Sequence, residues 1–258
     1  MGTVEHWPAP CGQAPRGSIK PPMKTKAAAR VTCTVDLRPT IARWGLGARP
    51  QGKRPTCSVF ATVNAIEFAL AARKDQGIKI SQEYLNWAKN QATGTEEDGG
   101  FFHDIWAGYV KLGLATEETV PYAQGYDAGL CPSKRALREG KKYRKYGLKL
   151  HFIKRWDVDR GLTKSEFGAV LKRIAQGFPV MCGLRWAKKP EFVDDVMVWC
   201  PPEDVFDGHS VLIVGYVETA GVEGGGYLIL SDSASARNDF KMSFKFARDY
   251  ANDACWVK

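Results

Sequence analysis

The sequence predicts an α+β protein of two lobes, with a helical N-terminal lobe, an antiparallel β-rich C-terminal lobe and a cleft between them. Helix-like apolar patterns fill the first half of the chain from about residue 55 onward. From Pro179 they give way to short runs rich in Val, Ile and Leu. Helices followed by strands, rather than alternating with them, are typical of α+β proteins. A cleft between lobes is a common place for a ligand.

The helical patterns begin after a tail. Residues 1–30 are rich in Pro, Gly, Lys and Ala without apolar periodicity, so we interpret them as a basic tail. The run after Cys57 is apolar nearly all round, which predicts a helix buried in the core, with Thr56 as its N-cap. Three further helices are predicted: one after Ser81 through "SQEYLNWAKN", one through "HDIWAGYVKLG" with Gly113 as a left-handed C-cap, and one through "TKSEFGAVLKRIAQG", where Thr163 and Glu166 have capping-box spacing.

Four strands are predicted in the second half: "PVMCGL", "HSVLIVGYV", "GYLILSDS" and "ACWVK". We interpret "TAGVEGGG", between the second and third of them, as the turn of an antiparallel hairpin. In such a hairpin the start of one strand lies beside the end of the other. We therefore expect His209 and Asp232 to share one end of the sheet.

Composition limits the protein class. The 258 residues are 44% hydrophobic and 25% charged, as in ordinary globular proteins. No apolar run approaches the roughly 20 residues that span a bilayer, and the first residues lack a signal-peptide core. We expect a cytoplasmic monomer without a membrane span, with non-classical secretion left open. The seven cysteines are widely spaced and form no CxxC pair, so we expect no metal site, cofactor or disulfide framework.

The positive charge is concentrated in residues 134–155. This stretch holds ten Lys or Arg and the single acid Glu139, which equals the formal net charge of +9 of the whole chain. Tyr143 and Tyr146 lie within it, as in surfaces that bind nucleic acid or anionic membranes. Runs of charge are more often a solvated face. We therefore expect a connecting surface, with nucleic-acid binding as the alternative.

Cys57 is a candidate nucleophile because the free N–H groups and dipole of a helix start stabilise a thiolate. A base is also needed. Of the four histidines, His209 stands at the mouth of a buried strand, and Asp232 could orient its ring. Gln51, six residues before Cys57, could donate to an oxyanion. A lone cysteine before a helix is more often a buried thiol, so the argument depends on all four residues together.

Several segments resemble those of the papain-like cysteine peptidases, in the same order over about residues 34–258. They are "VDLRPT", "QGKRPTCSVFA", "DGGFFHDIWAGYVKLGLATEETVPY", "GFPVMCGL", "DGHSVLIVGY" and "YLILSDSASA". The distance from nucleophile to base in this family is about 130 to 150 residues, and 152 positions separate Cys57 from His209 here. The chain is similar to a divergent, prokaryotic-type member without the usual disulfides or propeptide.

The resemblance implies a cysteine peptidase that hydrolyses peptide or isopeptide bonds through a thioester acyl-enzyme. Cys57 would be the nucleophile and His209 the base and then the acid. Asp232 stands where the family has its orienting Asn. Gln51 would share the oxyanion hole with the N–H of Cys57.

The resemblance also implies how a peptide or protein substrate binds. The catalytic domain would be residues 31–258, with a helical lobe at about 55–130 and a β-rich lobe at about 131–258 plus 31–50. Four positions match the family's substrate-binding segment. Gly99 and Gly100 would pair with the substrate backbone, while Phe101 and Phe102 would line an apolar pocket for the second residue before the scissile bond.

The sequence departs from the family pattern at several positions. Ser58 replaces the Trp after the nucleophile, and Ala234 replaces the Trp that shields the His–Asn pair. Arg54 replaces one disulfide cysteine, and the helix after Ser81 has no cysteine, so Cys131 lacks its expected partner. Residues 1–33 are too short for the usual propeptide. Two alternatives therefore stay open: a catalytically inactive fold that serves as a binding or inhibitory module, and a papain-like acyltransferase.

Overall fold

The computed structural model describes residues 31–258, so the predicted tail at residues 1–30 lies outside the described residues. The described chain folds into helices over one half and a large sheet over the other. The helices are α1 Arg38–Arg43, α2 Cys57–Lys74, α3 Gln82–Thr93, α4 Phe102–Leu112, α5 Lys134–Arg144, α6 Lys164–Ala175 and α7 Phe244–Tyr250. The strands are β1 Val31–Asp36, β2 Leu150–Lys154, β3 Val180–Ala187, β4 Phe192–Val193, β5 Val196–Met197, β6 Val205–Thr219, β7 Gly226–Asp232, β8 Arg237–Ser243 and β9 Ala251–Val257.

The sheet has the strand order β2-β9-β3-β6-β7-β8-β5-β4, and β1 pairs with β6 outside this path. Its pairings are antiparallel except that β5 and β8 run parallel. The predicted α+β fold is therefore confirmed. The expected hairpin is formed by β6 and β7, which places Leu212 opposite Ser231 and brings the start of β6 to the end of β7.

Alternate residues of the central strands face two separate cores, as the period of two in a strand requires. On β6, Leu212 and Val214 belong to a core shared with α2 and α4. Their neighbours Val211 and Ile213 belong to a second core, shared with α6 and α7. A strand that is buried on both faces has a continuous apolar sequence, and "SVLIVGYV" in β6 is such a sequence.

The long helix α2 is buried from Ser58 to Ala71 and packs against β6. Since α2 begins at Cys57, its N-terminus is fixed between the helices on one side and the sheet on the other. Thr56 occupies the N-cap position, but its hydroxyl does not accept a helix N–H. It bonds instead to the hydroxyl of Tyr122 at 2.7 Å, which connects the helix start to a neighbouring loop.

Two other predicted helix ends can be compared with the structure. The capping box of α6 is present, with Thr163 and Glu166 each accepting an N–H from the other. Gly113 ends α4 at a positive φ of 78°, but its ψ of −145° is not that of a left-handed C-cap. A Cβ there would lie 1.9 Å from the carbonyl oxygen of Gly140, so the close approach of α5 requires glycine.

The basic stretch forms α5 and β2. α5 packs against α4 and so lies against the helical half, although it follows the lobe boundary expected at residue 130. Its serine N-cap is Ser133, whose hydroxyl accepts the N–H of Ala136 at 3.2 Å. Within residues 31–258, no helix has the length and apolar character needed to cross a bilayer.

Candidate active site

A cleft of about 240 Å³ lies between the N-terminus of α2 and the strands β3, β6 and β9. Each lining residue comes from one of a few places: the α2 start, the Gly100–Phe102 segment, the loop at Trp156, or the three strands. They are Pro55, Cys57, Ser58, Gly100, Phe101, Phe102, Trp156, Gly183, Leu184, Gly208, His209, Ser210, Asn252 and Asp253. The cleft thus contains the predicted nucleophile and the predicted base together.

The thiol of Cys57 is half-buried at the first residue of α2. Burial alone would raise its pKa. Interaction with His209 and hydrogen bonds from the backbone of Ser210 and Ser58 outweigh burial and lower the pKa below its ordinary value. These contacts favour the thiolate, the form of cysteine that acts as a nucleophile.

His209 lies near the start of β6, opposite the end of β7 that carries Asp232. Its Nε2 atom is 2.7 Å from Oδ1 of Asp232, and the two side chains are only 11% and 4% exposed. Although burial opposes it, the hydrogen bond to Asp232 and the contact with Cys57 raise the pKa of His209 to about 9. Because Nε2 is engaged by the carboxylate, Nδ1 is the ring nitrogen left for proton exchange with the thiol.

The Asp232 carboxylate is held by its own turn. Oδ1 accepts the N–H of Ala234 at 3.1 Å, and Oδ2 accepts both the N–H of Ser235 at 3.1 Å and its hydroxyl at 2.6 Å. Burial would raise its pKa, but His209 and these donors lower it. The carboxylate is thereby fixed in the ionised form that favours an imidazolium.

Sequence reasoning missed Trp186 on β3. Its half-buried indole ring lies edge-on to the His209 ring, with centroids 4.6 Å apart and an interplanar angle of 82°. Although Ala234 stands in place of the family's shielding Trp, Asp232 is buried, and an aromatic ring from another strand covers His209. The pairing of Trp186 with Phe206 across β3 and β6 determines its position, and this register is not readable from the sequence.

Gln51 is buried, is not among the residues that line the cleft, and is hydrogen-bonded to protein groups. Its Oε1 accepts the hydroxyl of Ser233 at 2.7 Å, and its Nε2 donates to the carbonyl of Arg54 at 3.0 Å. Its backbone N–H donates to the carbonyl of Ser233. The carboxamide is therefore fixed next to the loop that precedes Cys57, and an amide nitrogen with two N–H groups keeps one for another acceptor.

The two predicted substrate-binding glycines lie beside the α2 start. Gly99 has a φ of 71°, and a Cβ there would lie 2.4 Å from the carbonyl oxygen of Pro55. Its N–H donates to Oδ1 of Asn86 at 3.0 Å. Gly100 has a φ of 129° and lines the cleft. Gly99 is thus required to bring the loop against the residues before Cys57, whereas Gly100 is favoured by its positive φ alone.

The two predicted phenylalanines differ in burial. Phe102 is buried and lines the cleft, while Phe101 is 44% exposed. The rings of Phe101 and Trp156, the latter also half-exposed, lie 5.2 Å apart and form an aromatic wall. The opposite side of the cleft is polar, because Asn252 and Asp253 line it. The cleft therefore has an acidic side besides its aromatic wall, a feature that the sequence did not indicate.

Arg54, in place of a disulfide cysteine, is buried in an ion-pair network. It donates to Glu83 at 2.5 Å and to Asp98 at 2.6 Å and 2.9 Å, and the three side chains are 5% to 7% exposed. The guanidinium also lies over the ring of Tyr122, 4.7 Å from its centroid. Since Asp98 precedes Gly99, this network ties the loop before Cys57 to the predicted substrate-binding glycines.

The fold is that of a two-lobed cysteine protease, and it places a cysteine at a helix start and a histidine on the sheet in one cleft. Comparison with protein families agrees with this fold, since the model of the papain family cysteine proteases matches residues 34–256. The chain belongs to the papain family of cysteine proteases. No curated protein matches its sequence.

Solved structures share this fold at low sequence identity. Xylellain, a cysteine protease from Xylella fastidiosa, is 18% identical with a TM-score of 0.68, over 89% of this chain and 87% of xylellain. The clostridial cysteine protease Cwp84 is 18% identical with a TM-score of 0.62, over 87% of this chain and 58% of Cwp84. Digestive procathepsin L 3 from the larval midgut of Tenebrio molitor is 18% identical with a TM-score of 0.59, over 91% and 71%. These likenesses concern the fold.

Proposed function

We propose that this protein hydrolyses peptide or isopeptide bonds with Cys57 as nucleophile, His209 as base and acid, and Asp232 as the residue that orients His209. One observation carries the proposal: His209 lines the same cleft as Cys57 and makes a 2.7 Å contact with Asp232 behind it. A lowered thiol pKa beside an imidazole with a raised pKa favours a thiolate–imidazolium pair at neutral pH.

In the first half of the reaction, the Cys57 sulfur attacks the carbonyl carbon of the scissile amide, and the carbonyl oxygen becomes an oxyanion. The backbone N–H of Cys57 and the free N–H of Gln51 are the proposed donors to it. As the tetrahedral intermediate collapses, the C–N bond breaks and the imidazolium of His209 gives its proton to the amine that leaves. The acyl group remains on sulfur as a thioester.

In the second half, the neutral imidazole of His209 takes a proton from water, and the resulting hydroxide attacks the thioester carbon. The C–S bond breaks, the carboxylic acid product leaves, and the thiolate–imidazolium pair is restored. Asp232 accepts a hydrogen bond from Nε2 of His209 in both halves of the reaction, so Nδ1 is the ring nitrogen that donates and accepts the transferred protons.

The buried His209–Asp232 pair argues against the inactive binding module. That alternative was favoured by the two missing tryptophans, but Trp186 covers His209 and Asp232 retains four donors. The contacts that lower the pKa of the Cys57 thiol despite its burial also favour a reactive thiol.

Labelling with a thiol-directed peptidyl epoxide, followed by mass spectrometry, tests the proposal. We expect modification at Cys57 together with hydrolysis of fluorogenic peptides, both lost in Cys57→Ala and strongly reduced in His209→Ala. Cys131→Ala is the matched control, because Cys131 is a free, exposed thiol outside the cleft. Folded protein that neither reacts at Cys57 nor hydrolyses any peptide contradicts the proposal.

A further inference from the structure

The polar side of the cleft is built by a β-bulge. Gly183 on β3 pairs with Asp253, the next residue Leu184 pairs with Ala251, and the register shift leaves Asn252 as the extra residue of β9. Successive residues of a regular strand point to opposite faces, whereas a bulge redirects a side chain. Here both Asn252 and Asp253 line the cleft.

The Asp253 carboxylate is buried and only partly engaged. The residue is 4% exposed, and its Oδ1 accepts the N–H of Gly183 at 2.9 Å. Among the described residues, no donor reaches Oδ2. A Cβ at Gly183 would lie 2.5 Å from Oδ1, so glycine is needed to let the carboxylate dock on the backbone of β3. One carboxylate oxygen is thus fixed by the protein and the other is left for a ligand.

Asn252 is a second buried polar side chain that faces the cleft with its hydrogen-bonding groups free. It is 6% exposed, and its side-chain amide makes no hydrogen bond within residues 31–258, although it lines the cleft. Neither the Asn252 amide nor Oδ2 of Asp253 is among the buried side-chain atoms that lack a partner, so both are open to the cleft, where a ligand can bond to them. The half-exposed rings of Phe101 and Trp156 also line the cleft and supply aromatic faces on which a cation can lie.

The charged groups around Asp253 leave its carboxylate available. Lys154 on β2 is a buried cation that lowers the pKa of Asp253, but its ammonium donates to three carbonyls, those of Asp157, Arg160 and Ala251. His103 on α4 is exposed, and the buried thiols of Cys182 on β3 and Cys255 stay neutral because burial raises the pKa of each.

Burial raises the pKa of Asp253 to about 6, against the opposing effects of the Gly183 N–H, Lys154 and His103. The carboxylate is therefore mainly ionised at neutral pH. A cation that enters the cleft meets a negative charge in a site shielded from water, where charge-assisted hydrogen bonds are strong.

We propose that Asp253, with Asn252, selects a substrate whose side chain in this pocket is cationic, Arg or Lys. The inference rests on the proposed peptidase function and deepens it. The aliphatic part of such a side chain would lie against the wall formed by Phe101 and Trp156, and its guanidinium or ammonium would donate to Oδ2 of Asp253 and to the amide oxygen of Asn252. Family resemblance alone implies an apolar side chain at this position.

Peptide substrates that differ in one charge test the selection. We would measure kcat/KM for three dipeptide substrates that carry an N-terminal benzyloxycarbonyl group and a C-terminal aminomethylcoumarin. All three have Arg next to the coumarin, and the residue before it is Arg, citrulline or Leu. Citrulline has nearly the shape of Arg without its charge. Since hydrogen bonds to charged groups are the strong ones, we expect Arg to exceed citrulline by roughly 10- to 100-fold at pH 7.5.

Two variants, a control variant and the pH dependence test whether the Asp253 carboxylate causes the preference for Arg. Asp253→Asn should bring the Arg-to-citrulline ratio close to one, and Gly183→Ala should lower it by displacing the carboxylate. Asp239→Asn, which removes an exposed carboxylate outside the cleft, should leave the ratio unchanged. In the wild type the ratio should fall as pH drops through about 6, because protonated Asp253 carries no charge. A wild-type ratio near one, or a ratio that Asp253→Asn does not change, overturns the inference.

A binding measurement separates this inference from the proposed catalysis. Fluorescein-labelled peptides of the same two sequences, with Arg or citrulline, would be titrated into the Cys57→Ala protein by fluorescence anisotropy. Tighter binding of the Arg peptide without hydrolysis by the wild type would retain the inference and contradict the proposed function. Equal Kd values, with epoxide labelling of wild-type Cys57 intact, would retain the function and overturn the inference.

Discussion

The indole ring of Trp186 on β3 lies edge-on against the imidazole of His209 on β6, with ring centroids 4.6 Å apart. Aromatic rings in this geometry stabilise each other beyond the area they bury. The indole also limits access of water to the His209–Asp232 hydrogen bond. A low local dielectric strengthens such a bond, so Trp186 supports the histidine from outside the cleft lining.

We therefore expect Trp186→Ala to lower kcat by roughly 3- to 10-fold, the equivalent of one lost aromatic pair. KM should change little because Trp186 does not line the cleft. Trp186→Phe keeps an aromatic edge and should retain most of the activity. Steady-state kinetics on the three proteins gives the comparison. An effect on KM alone, or equal damage from Ala and Phe, would contradict this role.

The negative charge of Asp232 determines the upper pH limit of the thiolate–imidazolium pair of Cys57 and His209. Asp232 raises the pKa of His209, which is about 9. Its replacement by Asn removes the charge but keeps an oxygen that can accept from Nε2, so the pKa of His209 should fall. The thiolate–imidazolium pair exists at pH values between the Cys57 and His209 pKa values.

In Asp232→Asn the alkaline limb of the pH profile of kcat/KM should thus move to lower pH, while activity near neutrality is largely retained. Asp232→Ala, which also loses the hydrogen bond, should reduce kcat at every pH. Hydrolysis of one fluorogenic peptide from pH 4 to 10 measures both effects. An unchanged alkaline limb in Asp232→Asn would show that another group sets it.

The proximity of His209 and Asp232 could be predicted from the sequence because one short turn joins their strands. Antiparallel pairing then brings the start of β6 to the end of β7 whatever the register. The buried helix at Cys57 could be predicted for a similar reason, since its all-round apolar pattern is local. These parts of the site depend only on neighbouring elements of the chain.

The position of Trp186 and the bulge at Asn252 could not be predicted in this way. Both depend on register shifts in pairings between distant strands, between Leu184 and Arg185 against β6 and at Asn252 against β3. A shift of one residue moves a side chain to the other face of a sheet. The helix α5 was missed for another reason: its run of Lys and Arg carries few apolar residues, and only Ser133 marks its start.

The ion-pair network of Arg54 joins the loop before Cys57 to the glycine loop at Asp98. Breaking a buried ion pair leaves an unpaired charge. We expect Arg54→Ala to lower the free energy of unfolding by about 3 to 5 kcal/mol, because Glu83 and Asp98 both lose their buried partner.

Urea denaturation of the whole chain measures this loss. Arg43→Ala is the matched control, since the Arg43–Asp75 pair has a similar contact distance but side chains 64% and 76% exposed. Exposed pairs contribute about 0 to 1 kcal/mol. Equal losses in the two variants would show that the network at Arg54 does not act as a buried cross-link.

The buried Asp253 predicts that stability depends on pH with a specific sign. Its folded pKa of about 6 lies above the ordinary value of 3.8, so between these values the folded protein binds more protons than the unfolded chain. The contribution of Asp253 to folding stability therefore falls as pH rises from about 4 to above 6. Asn at this position can accept the same Gly183 N–H and does not titrate.

We expect Asp253→Asn to match the wild type in stability near pH 4 and to exceed it near pH 7.5, by on the order of 2 kcal/mol. Urea denaturation at both pH values measures the difference, and every other titrating group cancels in the comparison. A residue that destabilises the fold at neutral pH is expected where function requires it. Should Asp253→Asn destabilise the protein equally at both pH values, the carboxylate would be a structural group, and its availability to a substrate cation would lose its physical basis.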